Sequence, residues 1–381
     1  MVQPKIDKQM KIGIEAQRIF RPKKHGMDIY ALELIKAIQK MDTQNEYVVF
    51  VKPDADVCLE ESENMKIVTV KGVSYLDWEQ ISLPNAIKKA KIDLMHFTSN
   101  TASVNINCPF VLTLHDIIYL ENSFSKGSLY QMAGHFYRRW NVPKIVNNAQ
   151  YIFTVSDFEN QRIQQQFSNK QNQVKTIYNA YNQQFKLIED IKILEQIREK
   201  YSLPKSFIFF LGNQAPKKNM KRVLEAYSQY VASNALPIDL VVAESSEEDV
   251  KSILKEINAE NLMKHIVLTG YISHKELPYL YNLATLFLYP SLRESFGIPI
   301  IEAMACGTPV ITSNTSAMPE IAHHAAMLVN PTKSDEIANA IQKVLSNEKL
   351  YNHLKYSGLS RATEFSWENT AQETIKLYQS I

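Results

Sequence analysis

Short, unbroken apolar runs, each halted by a glycine or a polar pair and followed by a segment of helical spacing, restrict this chain more than any other feature. Ser206 to Gly212 (SFIFFLG) and Pro109 to Asp116 (PFVLTLHD) are the plainest cases. A strand with one face in water alternates apolar and polar residues, whereas an unbroken run needs cover on both faces, as in a parallel sheet flanked by helices. Met10 to Gln17, Glu46 to Val51, Asp93 to Ser99, Gln150 to Phe158 and Val174 to Tyr181 read as companions in a first sheet. Asp28 to Met41 reads as a helix with Ile29, Leu32, Leu34, Ile35 and Ile38 on its apolar side, and Trp78 to Lys89 as another. The pattern restarts at Ser206 and continues through Asp239 to Ser245 and His265 to Ser273. Such alternation predicts an α/β chain, and 381 residues exceed one ordinary core and suit two. The polar stretch Asn182 to Glu189 separates them, giving domains over 1–185 and 186–365 and a closing helix over 366–381.

Composition narrows the function. No apolar run approaches the length of a membrane span, and the opening MVQPKIDKQMKIGI has no apolar signal region. Cys58, Cys108 and Cys306 are too few and scattered for a disulfide frame or a zinc site, so a reducing, cytoplasmic setting is expected. A net charge of +2 gives a nucleic-acid partner no electrostatic support. No G-x-G-x-x-G follows the first strand, which argues against a dinucleotide cofactor. Ten glycines in 381 residues are well below the usual ~7%, so those retained are expected to meet backbone needs. Five of them, Gly26, Gly212, Gly270, Gly297 and Gly307, fall at strand ends or beside helices.

The chemistry concentrates in Tyr289 to Ser313 (YPSLRESFGIPIIEAMACGTPVITS). Pro299 suits a first helical turn and Gly307 the left-handed position past a helix end, which predicts a helix over Pro299 to Cys306 with Glu302 in its first turn and Glu294 on the loop before it. A helix start behind a glycine loop seats a phosphate on its unpaired N–H groups. Two carboxylates beside an anion seat suit sugar and ribose hydroxyls. Upstream, Lys217, Lys218 and Asn219 follow the strand-end Gly212, and His115-Asp116 closes a buried strand at the end where open α/β sheets bind ligands. Each feature alone also has a plain structural reading: a helix-capping glutamate, a solvated lysine pair, a hydrogen-bonded core histidine.

Together, P-S-x-x-E-x-F-G-x-P-x-x-E-A-M-A-C-G-T-P-V-I, the Lys217-Lys218-Asn219 run and His115-Asp116 resemble the donor site of retaining nucleotide-sugar glycosyltransferases of the group 1 family. The resemblance implies the GT-B fold, two facing Rossmann-like domains with the last helix crossing back to the first, the donor on the second and the acceptor on the first. It implies catalytic roles for His115, Lys218 and Glu294, and donor binding by Gly26, Gly212, Lys217, Asn219, Tyr271, Phe296, Gly297, Ile298 and Glu302. Lys218 and the N–H groups near Phe296 to Ile298 would meet the departing diphosphate, so no cofactor and no metal are expected. Asp116 would orient His115 or cap the next turn. P-K-K-N, Y-P-S and S-N-T-S-x-M-P-E resemble users of GDP-mannose, with a UDP-hexose as the alternative donor and a glycan or lipid-linked glycan as acceptor.

The sequence departs from the family at Asn213, at Ala243-Glu244 where a strand is usually followed by glycine, and at His323-His324 in place of Gly-Asp. Asp54-Ala55-Asp56 has the spacing of a metal-binding D-x-D but sits in a Pro-led turn. Asn122 to Ser156 holds no carboxylate, while Lys126, His135, Arg138, Arg139 and Lys144 mix with aromatic residues. That composition fits either a helix docking on an anionic membrane surface or a core helix with snorkelling arginines. An epimerase of the same fold would need no acceptor, a silent partner subunit would lose the donor-site residues, and a glycosidase would need an acid and base pair.

Overall fold

The computed structural model describes residues 9–121, 129–213 and 215–381. It divides into two compact units, one running up to Asn179 and including Trp367–Ile381, the other Ala180–Ser366. The first division falls after Asn179 rather than after Phe185, because Phe185 is buried in the second unit, edge-on to the ring of His274 at 5.1 Å.

The first unit carries a seven-stranded sheet of β1 (Lys11–Glu15), β2 (Glu46–Val51), β3 (Met65–Thr69), β4 (Leu94–Phe97), β5 (Phe110–Thr113), β6 (Tyr151–Thr154) and β7 (Val174–Thr176). The order is β3-β2-β1-β4-β5-β6-β7 with parallel pairing throughout. The second unit repeats the plan with β8 (Phe207–Leu211), β9 (Asp239–Ala243), β10 (Ile266–Gly270), β11 (Leu286–Tyr289), β12 (Val310–Ser313) and β13 (Met327–Val329), in the order β10-β9-β8-β11-β12-β13. In each sheet the strand order reverses between the first and fourth strands. Such a switch point opens a crevice at the carboxyl ends of the strands.

The unbroken apolar runs have the expected cause. Phe207 and Phe209 of β8 enter one core with Phe287 and Tyr289, while Ile208 and Phe210 enter the other with Leu286, Leu288 and Tyr227. Alternate side chains of a strand point to opposite faces, so cover on both faces leaves no polar position between them.

Helix α1 spans Gly26–Met41, beginning at Gly26 rather than Asp28, so Gly26 is its first residue and not part of the preceding loop. The helical stretch near Trp78 is Tyr75–Ala90 with a π-turn over Trp78–Ser82 in its middle. The last helix, Trp367–Gln379, packs in the first unit. Trp367 lies edge-on to Tyr30 of α1 at 5.9 Å, and the Thr370 hydroxyl donates to Tyr178 O at 2.8 Å. A buried hydrogen-bond chain crosses the sheet beneath it: Tyr378 OH to His96 Nδ1 at 2.5 Å, His96 Nε2 to Thr113 Oγ1 at 2.7 Å, and Thr113 Oγ1 to Tyr30 OH at 3.2 Å. Burial, helped by His115, pushes the His96 pKa down to about 3, so the ring is neutral and needs both partners.

Candidate active site

The second unit gathers its polar residues where β8 and β11 end. β11 stops at Tyr289, and Gly297, at a left-handed φ of 103°, caps a helix over Ile298–Ala305. A side chain would be strained at that φ, so glycine lets the loop enter the helix directly. The helix starts one residue before the expected Pro299, leaving Glu302 fifth in it and in its second turn rather than its first. Gly307, at φ 73°, follows its end.

The Lys217-Lys218 turn is fastened to this loop. Asn219, itself left-handed at φ 66°, is buried, and its amide donates to Pro290 O at 2.9 Å and Pro331 O at 2.7 Å. Leu292 N donates to Lys217 O at 2.7 Å. Glu294 is fastened too: Ser316 Oγ accepts from its N–H at 3.1 Å and donates to its carbonyl, which also accepts from Arg293 Nη1 at 3.0 Å.

This scaffold brings two ammonium groups to one carboxylate. Lys218 Nζ donates to Glu294 Oε1 at 2.8 Å and to Tyr289 OH at 2.7 Å, and lies 4.6 Å from the centroid of the Tyr289 ring. Lys217 Nζ reaches Glu294 Oε2 at 3.2 Å, and Tyr289 OH donates to Oε1 at 2.9 Å. Glu294 is only 8% exposed. Burial favours its neutral form, but Lys218 and Lys217 outweigh burial and hold it ionised below the ordinary 4.5. Burial and the charge of Glu294 push the Tyr289 hydroxyl well above 10, so it stays a donor. Two cations against one anion leave one positive charge in excess, a ready partner for a phosphate.

Glu302, 4% exposed, forms a second group. His274 Nε2 lies 3.5 Å from its Oε1, and Gln184 Nε2 donates to His274 Nδ1 at 2.8 Å, which assigns the ring proton to Nε2, facing the carboxylate. His274 follows Tyr271, which is 65% exposed just after Gly270. Phe296 is buried, edge-on to Phe365 at 5.7 Å, so its ring serves the core. Gly212 follows β8, and its carbonyl accepts from the Ser245 hydroxyl.

His115 and Gly26 belong to the first unit. Past the carboxyl end of β5, the His115 backbone N–H donates to Asn100 Oδ1 at 2.7 Å, and its Nε2 contacts Thr98 O at 2.9 Å. A carbonyl can only accept, so Nε2 carries the proton and Nδ1 is the acceptor nitrogen. Burial pushes the His115 pKa down and keeps it neutral. Of the two roles open to Asp116, capping is the one seen: its Oδ1 accepts from Ile118 N at 3.2 Å.

Tyr289, His274, Ser316 and Asn100 escaped sequence reasoning. Tyr289 stood at a strand end inside the Y-P-S motif, but nothing local marks the approach of His274 to Glu302, 28 positions away. Asp54 accepts from its neighbour Ala55 N, and Asp56 pairs with Lys24. Among the described residues no group of three or more His, Cys, Asp or Glu could hold a metal ion.

Comparison with known proteins identifies the family. Residues 194–361 match the family model described as Glycosyl transferases group 1, and residues 25–185 match Glycosyltransferase Family 4. The chain is 30% identical over 289 residues to the serotype-specific mannosyltransferase WbdA of Escherichia coli, covering 74% of this chain and 35% of that protein. It is 29% identical over 249 residues to the O-antigen chain mannosyltransferase B of Escherichia coli, covering 64% of each. The chain thus spans about a third of the length of WbdA. Sucrose-phosphate synthase from Thermosynechococcus elongatus superposes with a TM-score of 0.75 at 20% identity, over 98% of this chain and 99% of that one, which shows the GT-B fold. With both halves matched and the fold shared, the chain belongs to the group 1 glycosyltransferases.

Proposed function

We propose that this chain transfers a hexose, mannose from GDP-mannose, with retention of configuration, onto a glycan or a lipid-linked glycan, without a divalent metal. The observation that carries the reading is the pair Lys217 and Lys218 sharing the single carboxylate of Glu294. Breaking a sugar–phosphate bond leaves a diphosphate whose charge must be met as it develops. Fixed cations in a partly water-excluded site do so at about 10²–10³ in rate per group. In this scheme Lys218, with Lys217 beside it, turns from Glu294 to the diphosphate, and Glu294 takes a sugar hydroxyl in exchange. Glu302, backed by His274, holds the ribose hydroxyls. His115, neutral, keeps Nδ1 as an acceptor for a sugar hydroxyl. That WbdA and the O-antigen enzyme are mannosyltransferases supports mannose.

The proposed acceptor brings a membrane surface with it. Residues 122–128 of the carboxylate-free segment lie outside the described residues, but 129–148 form a helix. Its Met132, Phe136 and Trp140 are exposed at four-residue intervals, one stripe of the helix, beside Arg139 and Lys144. Its other side carries Val142, Ile145 and Val146 into the core. An apolar stripe among cations suits anionic lipid. No described helix is long and apolar enough to cross a membrane.

A melting panel of GDP, UDP, ADP and dTDP at equal concentration tests the donor, since a nucleotide at a hundredfold excess over Kd adds about 2.7 kcal/mol. The expected result is a shift with GDP. A shift with UDP and none with GDP would overturn the mannose reading, and transfer lost in chelator but restored by magnesium or manganese would overturn the metal-free one.

A further inference from the structure

The carboxyl ends of β9 and β10 are built as a pair. Glu244 follows β9 at a left-handed φ of 61°, Gly270 ends β10 at φ 66°, and Glu244 N donates to Gly270 O at 2.9 Å. Gly270 adopts that conformation freely. Glu244 adopts it with a side chain in place, which L-residues disfavour. Strain of this kind persists where the surroundings hold it and where function uses it.

The position of Glu244 indicates the use. The neighbouring Ser245 hydroxyl donates to Gly212 O, so the ends of β8, β9 and β10 form one continuous edge. Beyond Gly270, Tyr271 is exposed and His274 reaches Glu302. A nucleoside whose ribose rests on Glu302 therefore has its base over the ends of β10 and β9. Glu244 is exposed there, and among the described residues its carboxylate has no ion-pair partner. Its charge, like that of Glu302, also bears on the buried hydroxyl of Tyr281.

We propose that Glu244 reads the base of the donor, its two carboxylate oxygens accepting from the N1–H and the 2-amino group of guanine. This inference rests on the GDP-sugar reading and deepens it. Guanine presents two adjacent donors on that edge. Uracil presents one N–H between two carbonyl oxygens, which a carboxylate repels, and adenine presents an acceptor at N1. A site built to accept two hydrogen bonds rejects a base that leaves one unmade.

Inosine diphosphate isolates the claim, because hypoxanthine keeps N1–H and lacks the 2-amino group. Calorimetric titration of the parent with GDP, inosine diphosphate and UDP is expected to show GDP bound about tenfold tighter than inosine diphosphate, as for one charge-assisted hydrogen bond. Glu244→Gln, of equal size, should bring that ratio close to one. Glu244→Gly should do the same and, by relieving the strain, raise the melting temperature of the free protein by about 2 °C. A parent that does not separate the two purines, or a Glu244→Gln variant that still does, would overturn the role of Glu244 while GDP over UDP left the donor reading intact. Binding of UDP and not GDP would remove the donor reading and this inference with it. The melting curve of the free Gln variant identifies a misfolded sample, and the Gly variant then supplies the decisive ratio.

Discussion

Replacing Lys218 with methionine keeps the stem over the Tyr289 ring and removes only the charge. Lys218 Nζ makes two of the hydrogen bonds that hold the centre of the site, at 2.7 Å to Tyr289 OH and 2.8 Å to Glu294 Oε1. Its loss leaves a buried carboxylate with Lys217 and Tyr289 as remaining partners, a deficit of about 2 kcal/mol. In a unit of this size that lowers Tm by roughly 4–8 °C. The cost has a definite pH sign. In the parent the Glu294 pKa is below 4.5, so its contribution to stability is complete above about 4.5 and is lost as pH falls through the lowered value. Burial is the largest influence on Glu294 and Lys218 the largest opposing one, so without Lys218 its pKa rises. A carboxyl whose folded pKa is raised is favoured at low pH and penalised as pH rises through that value. The Tm gap between parent and Lys218→Met should therefore be wide at pH 7 and narrow toward pH 4. Turnover at saturating donor should fall about 10²–10³, or roughly 2.7–4 kcal/mol, because the charge met by Lys218 exists mainly in the transition state. Steady-state kinetics on the folded variant reads this directly. Near-parental turnover, or a loss confined to donor affinity, would refute the phosphate role.

Four further outcomes follow from other parts of the molecule. Glu302→Gln should weaken the donor by about 1.5–3 kcal/mol with kcat changed little, and a calorimetric Kd equal to that of the parent would remove Glu302 from the ribose. Tyr378→Phe leaves His96 Nδ1 buried without its partner and should cost about 1–3 kcal/mol in denaturant unfolding at pH 7, and no loss would show that the chain beneath the last helix is idle. In the parent, the neutral His96 contributes stability above pH 6.5 that is lost toward about pH 3, at no more than about 1.4 kcal/mol per pH unit, so a flat stability between pH 6.5 and 5 would contradict its burial. Of the described tryptophans, Trp78 and Trp367 are buried and Trp140 is exposed, so a blue shift of emission on adding anionic but not zwitterionic vesicles reports docking of the helix 129–148, and no shift with either would refute it.

Much of the fold could be read because both sheets are covered on both faces, so strands such as Phe207–Leu211 carry no polar residue to confuse their limits. The lysine turn and the glutamate loop could be read as well, since Gly212, Gly297 and Gly307 punctuate them within a short span. The start of the helix at Ile298 was missed by one residue because a left-handed glycine cap and an early proline each predict an entry, and the cap prevailed. What stayed hidden depends on distant parts of the chain. The meeting of Gln184, His274 and Glu302 leaves no trace in local periodicity, and neither does that of Tyr378 with His96 across 282 positions. Glu244 was visible as a departure from the family's glycine, but its left-handed backbone needed coordinates.

The return of Trp367–Gln379 to the first unit makes the second unit, in effect, an insertion. The chain leaves the first unit after Asn179 and re-enters it at Trp367, and the two points are close, since Thr370 donates to Tyr178 O at 2.8 Å. On the ribosome the second unit is complete while the first still lacks the tyrosine that satisfies His96. The first unit therefore waits, partly assembled, until Trp367–Gln379 has been made. The same closeness would let a short linker between residues 179 and 367 join the first unit to itself.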